Sequence, residues 1–233
     1  GDGHTCGLTS DHSAWCWGQN WDGRLGDGTT SSKSTPVAVA GGQTFTKLAL
    51  GAHSCGLTSD ALAWCWGGNW SGQLGDGTTT NRSAPVQISG IVATDIPISW
   101  TSVSGSINNR ASIRIHGRLF AWGDNTYGQL GVGNTVYYSS PVQVGSLTNW
   151  KQVSCGFGSS GTAGFGFMYA IKTDGTLWAW GDNTGGQLGQ NATTSRSSPV
   201  QVGTSSWTSV GAGLSYSVGI KLDNTLFLTL FFS

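Results

Sequence analysis

Charge is what this chain has least of. Lys, Arg, Asp and Glu make up 9% of its 233 residues, and the formal net charge is zero. A neutral surface with scattered cations gives no electrostatic footprint for nucleic acid or for an anionic membrane. No apolar run reaches the length of a spanning helix, so membrane insertion is not expected. Signatures of catalysis are equally scarce. There is no Gly-x-Ser-x-Gly elbow, no Gly-x-x-x-x-Gly-Lys phosphate loop and no CxxC pair of the kind zinc sites use. The 11 acidic residues are spread thinly over turn-like segments rather than paired on one element. The reading is therefore non-enzymatic, with no cofactor and no metal. An initiator Met is absent, and Gly3-His4-Thr5-Cys6 opens in mid-pattern, matching Ala52-His53-Ser54-Cys55 further on. The expectation is a piece of a longer chain, the alternative being a complete short chain that closes by self-association.

Glycine and aromatics are abundant instead: 38 Gly, 12 Trp, 8 Phe and 5 Tyr. That mixture suits short strands joined by tight turns around a well-filled core. The order of residues repeats. Trp15-Cys16-Trp17-Gly18 recurs as Trp64-Cys65-Trp66-Gly67, Phe120-Ala121-Trp122-Gly123 and Trp178-Ala179-Trp180-Gly181. Each is followed by an Asn (Asn20, Asn69, Asn125, Asn183) and then by a Leu-Gly pair at Leu25, Leu74, Leu130 and Leu188. A Pro-Val follows at Pro36, Pro85, Pro141 and Pro199, in steps of 49, 56 and 58 residues. A further strand signal is led by Phe45, Trp100, Trp150 and Trp207. Val142-Gln143-Val144 and Val200-Gln201-Val202 alternate as half-buried strands do, and Asp174-Gly175 marks a hairpin turn that tolerates positive φ at both positions. Four short strands in about 50 residues, repeated, make a propeller blade.

These strings, "WAWGDNTGGQLGQNATTSRSSPVQV" above all, resemble the RCC1 (regulator of chromosome condensation) repeat in four copies and a partial fifth. The resemblance implies an all-β propeller, here about four blades of a seven-bladed ring. The units run roughly over 1-44, 45-99, 100-149, 150-206 and a partial 207-233. Proteins of this kind include guanine-nucleotide exchange factors, a secreted enzyme inhibitor and a plant light sensor, and the fold does not choose among them. The run Phe227-Leu228-Thr229-Leu230-Phe231-Phe232, where another Trp-x-Trp-Gly is due, has the makeup of an aggregation-prone segment.

Cys6 and Cys16 are ten residues apart, as are Cys55 and Cys65. The even spacing puts each pair on one face of a hairpin, in reach of a disulfide, with packed thiols as the alternative. Disulfides would place the chain in an oxidising setting, extracellular, at a cell surface or in a virion. Cys155 reads as a packed thiol. His4 and His53 hold one repeat position and are expected to bond neighbouring backbone. Asp27 with Lys33, and Asp76 with Arg82, read as ion pairs bracing a loop rather than as calcium ligands. Asn69, Asn81 and Asn191 head glycosylation sequons.

Trp21, Trp70, Tyr127, Tyr137 and Tyr138 vary between copies and lie on connections, where recognition residues concentrate. Two insertions lengthen the repeat, at 90–98 and 156–167, and the second carries Phe157 and Phe165. These seven aromatics are the candidate partner-binding residues. The functional expectation is a protein-recognition propeller. A carbohydrate-binding propeller with Trp21, Trp70 and Tyr127 as stacking platforms is the second reading, and an exchange factor or enzyme inhibitor the third.

Overall fold

The alternation of apolar and polar residues over four to six positions, broken by Gly and Asn, folds the chain into strands alone. The computed structural model describes residues 3–88, 100–157, 166–213 and 216–230, and among these there is no helix. The first sheet holds β1 (His4–Leu8), β2 (Ala14–Gly18) and β3 (Lys33–Ala38) in that order. The second holds β4 (Phe45–Leu50), β5 (His53–Thr58), β6 (Ala63–Gly67) and β7 (Arg82–Gln87). The third holds β8 (Ser104–Gly105), β9 (Asn109–Ile113), β10 (Leu119–Gly123) and β11 (Tyr138–Gln143). A six-stranded sheet follows, ordered β12 (Trp150–Phe157), β13 (Gly166–Lys172), β14 (Thr176–Gly181), β15 (Arg196–Ala212), β16 (Tyr216–Lys221) and β17 (Leu226–Leu230). All pairings are antiparallel. β15 is long because its first part pairs with β14 and its second part with β16, so one strand serves two blades.

Neighbouring blades meet along their first strands. The Ser104 hydroxyl of β8 accepts the Cys155 N–H of β12 at 3.0 Å, and the Ser154 hydroxyl accepts the Ala212 N–H of β15 at 2.9 Å. The hydrophobic core is correspondingly divided into clusters, three of which span two sheets. One joins Ala111 and Ile113 of the third sheet, with Leu130 of its loop, to Val153, Met168 and Trp180 of the fourth.

The aromatic that leads each first strand is matched by the residue ending the second. Trp100 lies under the Arg114 guanidinium at 5.3 Å, Trp150 under the Lys172 ammonium at 5.1 Å and Trp207 under that of Lys221 at 5.6 Å. Where the leader is Phe45, the paired residue is Thr58. Cation and indole thus appear together, which a ring quadrupole accounts for.

The hairpin turns differ from the sequence expectation. At Asp174-Gly175 only the glycine has positive φ. The turn closes from Gly175 N–H to Lys172 O at 2.9 Å, and Asp174 accepts the Thr176 N–H. The same four-residue turn recurs with the left-handed position held by His12, Ala61, Gly117 and Asn224.

The cysteine pairs face each other across β1–β2 and β5–β6 and form disulfides, with Cα atoms 4.1 Å apart in both. Cys155 is buried and free, and burial pushes its thiol up to about 11. The apolar stretch after Leu226 forms β17, the last strand in its sheet order. The insertion at 90–98, and Phe165 with most of the second insertion, lie outside the described residues.

Two outcomes follow. Ala61 is a β-carbon residue at φ 62°. Ala61→Gly is expected to stabilise the chain by about 0.5–1 kcal/mol in denaturant unfolding, against the usual penalty for glycine. Unfolded without reductant, the protein should titrate one thiol, and after reduction all 5 cysteines.

Candidate interaction surface

The residue that shapes the surface is the Asn after each Trp-x-Trp-Gly. Asn20, Asn69, Asn125 and Asn183 are fully buried. Each side-chain oxygen accepts the N–H of the coming Leu (Leu25, Leu74, Leu130, Leu188) at 2.9 Å. Each side-chain amide donates to two carbonyls further along the loop, those of Thr29 and Ser31 in the first copy and Asn134 and Val136 in the third. One amide thus replaces the hydrogen bonds that a loop of about a dozen residues lacks. Asn69 is consumed in this way and buried, which removes it as a glycan acceptor in the folded chain.

Beside that amide stands the acidic brace. Asp27 is 3.8 Å from Lys33 Nζ, and Asp76 is 2.7 Å from Arg82 Nη2. Burial pulls the Asp76 carboxyl upward, but hydrogen bonds from Thr78 and Arg82 outweigh it and hold it below the usual range. In the third copy Asn134 takes over: its Oδ1 accepts the Val136 N–H, and its Nδ2 donates to the Tyr138 hydroxyl at 3.1 Å. Tyr138 is half-buried and belongs to this brace.

The loops dock on the next sheet. Gly28, Gly77 and Gly133 donate N–H bonds of 2.7–2.9 Å to the carbonyls of Ser83, Ser139 and Ser197, on the fourth strand of the following blade. Trp66, Trp122 and Trp180 are wholly buried against the Leu-Gly pair of the blade before them. Trp17 has no such seat among the described residues and is half-buried, unlike its three counterparts.

Rigid loops held this way carry exposed aromatics at one end of successive blades. Trp21 is 69% exposed and Trp70 46%, one residue after their Asn. The Trp70 indole N–H donates to Asn108 Oδ1 of the next blade at 3.1 Å, so that ring bridges the seam. In the third copy the aromatic changes place rather than disappearing. Thr126 follows the Asn, and Tyr137, 54% exposed, reaches across the loop to share a 2.8 Å hydrogen bond with it. Tyr127 is half-buried beside them. The fourth copy has Thr184 and Ser195 at these two positions and carries no ring. Phe157 is buried, its N–H bonded to Gly213, and leaves the contact set.

Residues 11–57, 60–107, 116–161 and 174–220 each match the family described as Regulator of chromosome condensation (RCC1) repeat. This chain belongs to the RCC1 repeat family. Each matched repeat opens just before the Trp-x-Trp-Gly strand of one blade and ends before or within the second strand of the next, so the RCC1 repeat and the blade are out of phase. The chain is 30% identical to the Ultraviolet-B receptor UVR8 of Arabidopsis thaliana over 200 residues, covering 84% of this chain and 43% of that one. It is 33% identical over 92 residues to the Regulator of chromosome condensation of Xenopus laevis, covering 39% of this chain and 20% of that one. Among solved folds, human WBSCR16 superposes with a TM-score of 0.81 at 21% identity, covering 98% of this chain and 59% of that one. Yeast RCC1 (Prp20), solved with Kap60, gives 0.77 at 21%, covering 97% and 53%. The chain therefore spans about half the length of these RCC1-like propellers, and less of the sequence relatives.

The histidines bond across blades to side chains, which the expectation of backbone partners did not include. His4 Nε2 meets the Ser54 hydroxyl at 2.8 Å, and Ser54 donates to Arg24 O. His53 Nε2 accepts from Arg110 Nε, and Arg110 Nη2 donates to His53 O at 3.1 Å. No sequence signal marked Arg110, because the other copies carry Thr5, Ser54 and Met168 at its register position. Burial lowers the Arg110 guanidinium to about 10. Burial, then the Arg110, His4 and Arg24 charges, hold the His53 imidazole well below its usual value, outweighing a backbone bond at Ile107.

The consequence has a definite sign. Folded His53 refuses a proton that the unfolded chain takes up below about pH 6.5, so stability is complete above that pH and declines beneath it. The slope this group adds is at most about 1.4 kcal/mol per pH unit. His53→Gln keeps an acceptor for Arg110 and removes the proton site. Denaturant unfolding from pH 7.5 to 5 should show the wild type losing stability relative to the variant.

Proposed function

We propose that this chain is a non-catalytic protein-recognition propeller that binds its partner through Trp21, Trp70 and Tyr137, with Tyr127 at the margin. The observation that carries this is the row itself. Three exposed rings stand at one end of three consecutive blades, on loops whose conformation is fixed by a buried amide. Large rigid side chains on a preorganised loop cost little entropy to immobilise and are the usual anchors of protein interfaces. The third copy supports the same reading, since its ring arises from a different residue yet stands on the same loop. The polar groups of the blades are largely committed to structural bonds, which favours recognition over chemistry. Protein binding is also described for related structures: yeast RCC1 bound to Kap60, and Prp20p in its binding to Gsp1p and histones. The two disulfides favour an extracellular, cell-surface or virion setting.

A glycan is the second reading, favoured by the uncharged neighbours of Trp70, namely Ser71 in sequence and Asn108 through its hydrogen bond. The triple variant Trp21→Ala, Trp70→Ala, Tyr137→Ala decides between them. Wild type and variant are immobilised and compared for retained proteins from a secreted-protein mixture and for binding on a glycan array. Protein ligands should lose at least about tenfold in affinity, more than 1.4 kcal/mol, with the thermal midpoint unchanged. Equal retention by the variant would move the contact off this row. Signal confined to the glycan array and lost in the variant would establish the second reading.

A further inference from the structure

Three of the four Leu-Gly pairs seat an indole. A methyl group built on Gly26, Gly75 or Gly131 would lie 2.6, 2.7 or 2.6 Å from the Nε1 of Trp66, Trp122 or Trp180. In the second and third seats the indole N–H donates to the carbonyl two residues before the glycine, Gln73 O at 3.0 Å and Gln129 O at 2.9 Å. The fourth pair, Leu188-Gly189, has the same backbone form, with φ of 65° at the glycine. There, among the described residues, the nearest atom to such a methyl is Val202 Cγ1, 3.5 Å away, and no ring is met.

The register explains the difference. Trp66, Trp122 and Trp180 stand opposite Ser54, Arg110 and Met168, and the residue opposite Ser217 in the next hairpin is Thr229. The chain has partly adjusted. Tyr169 occupies the position that Cys55 and Ala111 hold in earlier blades, and its hydroxyl donates to Gln187 O, the carbonyl an indole would otherwise take. Ser217 Oγ donates to the Tyr169 hydroxyl at 3.3 Å. A cavity of about 260 Å³ remains, lined by Tyr169, Leu177, Gly189, Val202, Trp207 and Val210 among others. It reaches side chains that are otherwise core, since Tyr169, Leu177 and Val210 are all buried.

We propose that this cavity binds a small planar aromatic ligand carrying an N–H or O–H. The ligand sits between the fourth blade and β16, where the other three seats hold an indole. Its walls are mainly apolar, with Ser205, Ser217 and Lys221 the polar lining residues, and a largely apolar cavity with a few polar groups suits a flat aromatic molecule. Tyr169 and Ser217, both on its lining, fix the orientation of its polar edge. This site is separate from the aromatic row and does not depend on it.

Free indole is the probe. Added to the whole chain at millimolar concentration, it should shift the amide resonances of Gly189 and Val210 saturably and raise the thermal midpoint. Thr229→Trp, which restores the residue the other blades use, should lower indole affinity at least tenfold. Val202→Phe, which fills the cavity from its other side, is the independent variant if Thr229→Trp does not fold. Absent shifts in the wild type, shifts centred on Gly26, Gly75 or Gly131, or undiminished affinity in a folded variant would each overturn the assignment.

Discussion

A buried asparagine amide is the interaction on which the architecture rests. It has two donors and an acceptor, and in each blade all are spent on the backbone of one loop. Without that side chain the loop would place several unpaired N–H and C=O groups in a dry environment, each costing about 1–3 kcal/mol. With it, the loop is rigid enough to do three things. It offers a side-chain-free glycine to the indole of the next blade, it bonds the outer strand of that blade, and it displays an aromatic ring to solvent. Packing between blades and recognition at their end are therefore consequences of one hydrogen-bonding pattern.

The departures from the repeat are as informative as the repeat. Where Asp76 and Arg82 brace a loop by charge, Asn134 and Tyr138 brace the equivalent loop by a neutral hydrogen bond. Where Trp100, Trp150 and Trp207 head a strand, a cation covers the ring, and where Phe45 does, Thr58 suffices. Where Thr229 replaces Trp, Tyr169 replaces a small residue and takes the vacated carbonyl. Substitutions in one strand are thus accompanied by others elsewhere in the array, which is how a packed array absorbs change without losing density.

Polar residues at the seams behave differently from those in the loops. Arg110 and His53 are buried where the second and third blades meet, and the imidazole serves as acceptor only while it is neutral. Such a pair adds less to stability than its contacts suggest, because desolvation of the guanidinium opposes it. It does distinguish this seam from the one before it, where His4 meets Ser54 at the same register instead of a guanidinium.

The sequence by itself determined the all-β propeller, the repeat family and the placing of Cys6 by Cys16 and Cys55 by Cys65 within disulfide reach, with bonding left open against packed thiols. Those follow from local order: strand periodicity, turn residues and fixed spacings act within about fifty residues. The exposed places of Trp21, Trp70 and Tyr137 were legible for the same reason, as loop aromatics that vary between copies. Contacts between blades were not legible. The His53–Arg110 bond, the burial of Phe157, the two-blade span of β15 and the unfilled seat at Gly189 were decided by the tertiary structure alone. They depend on which residues of adjacent units come within a few ångströms, and a periodic sequence repeats the composition of a seam without stating who stands across it.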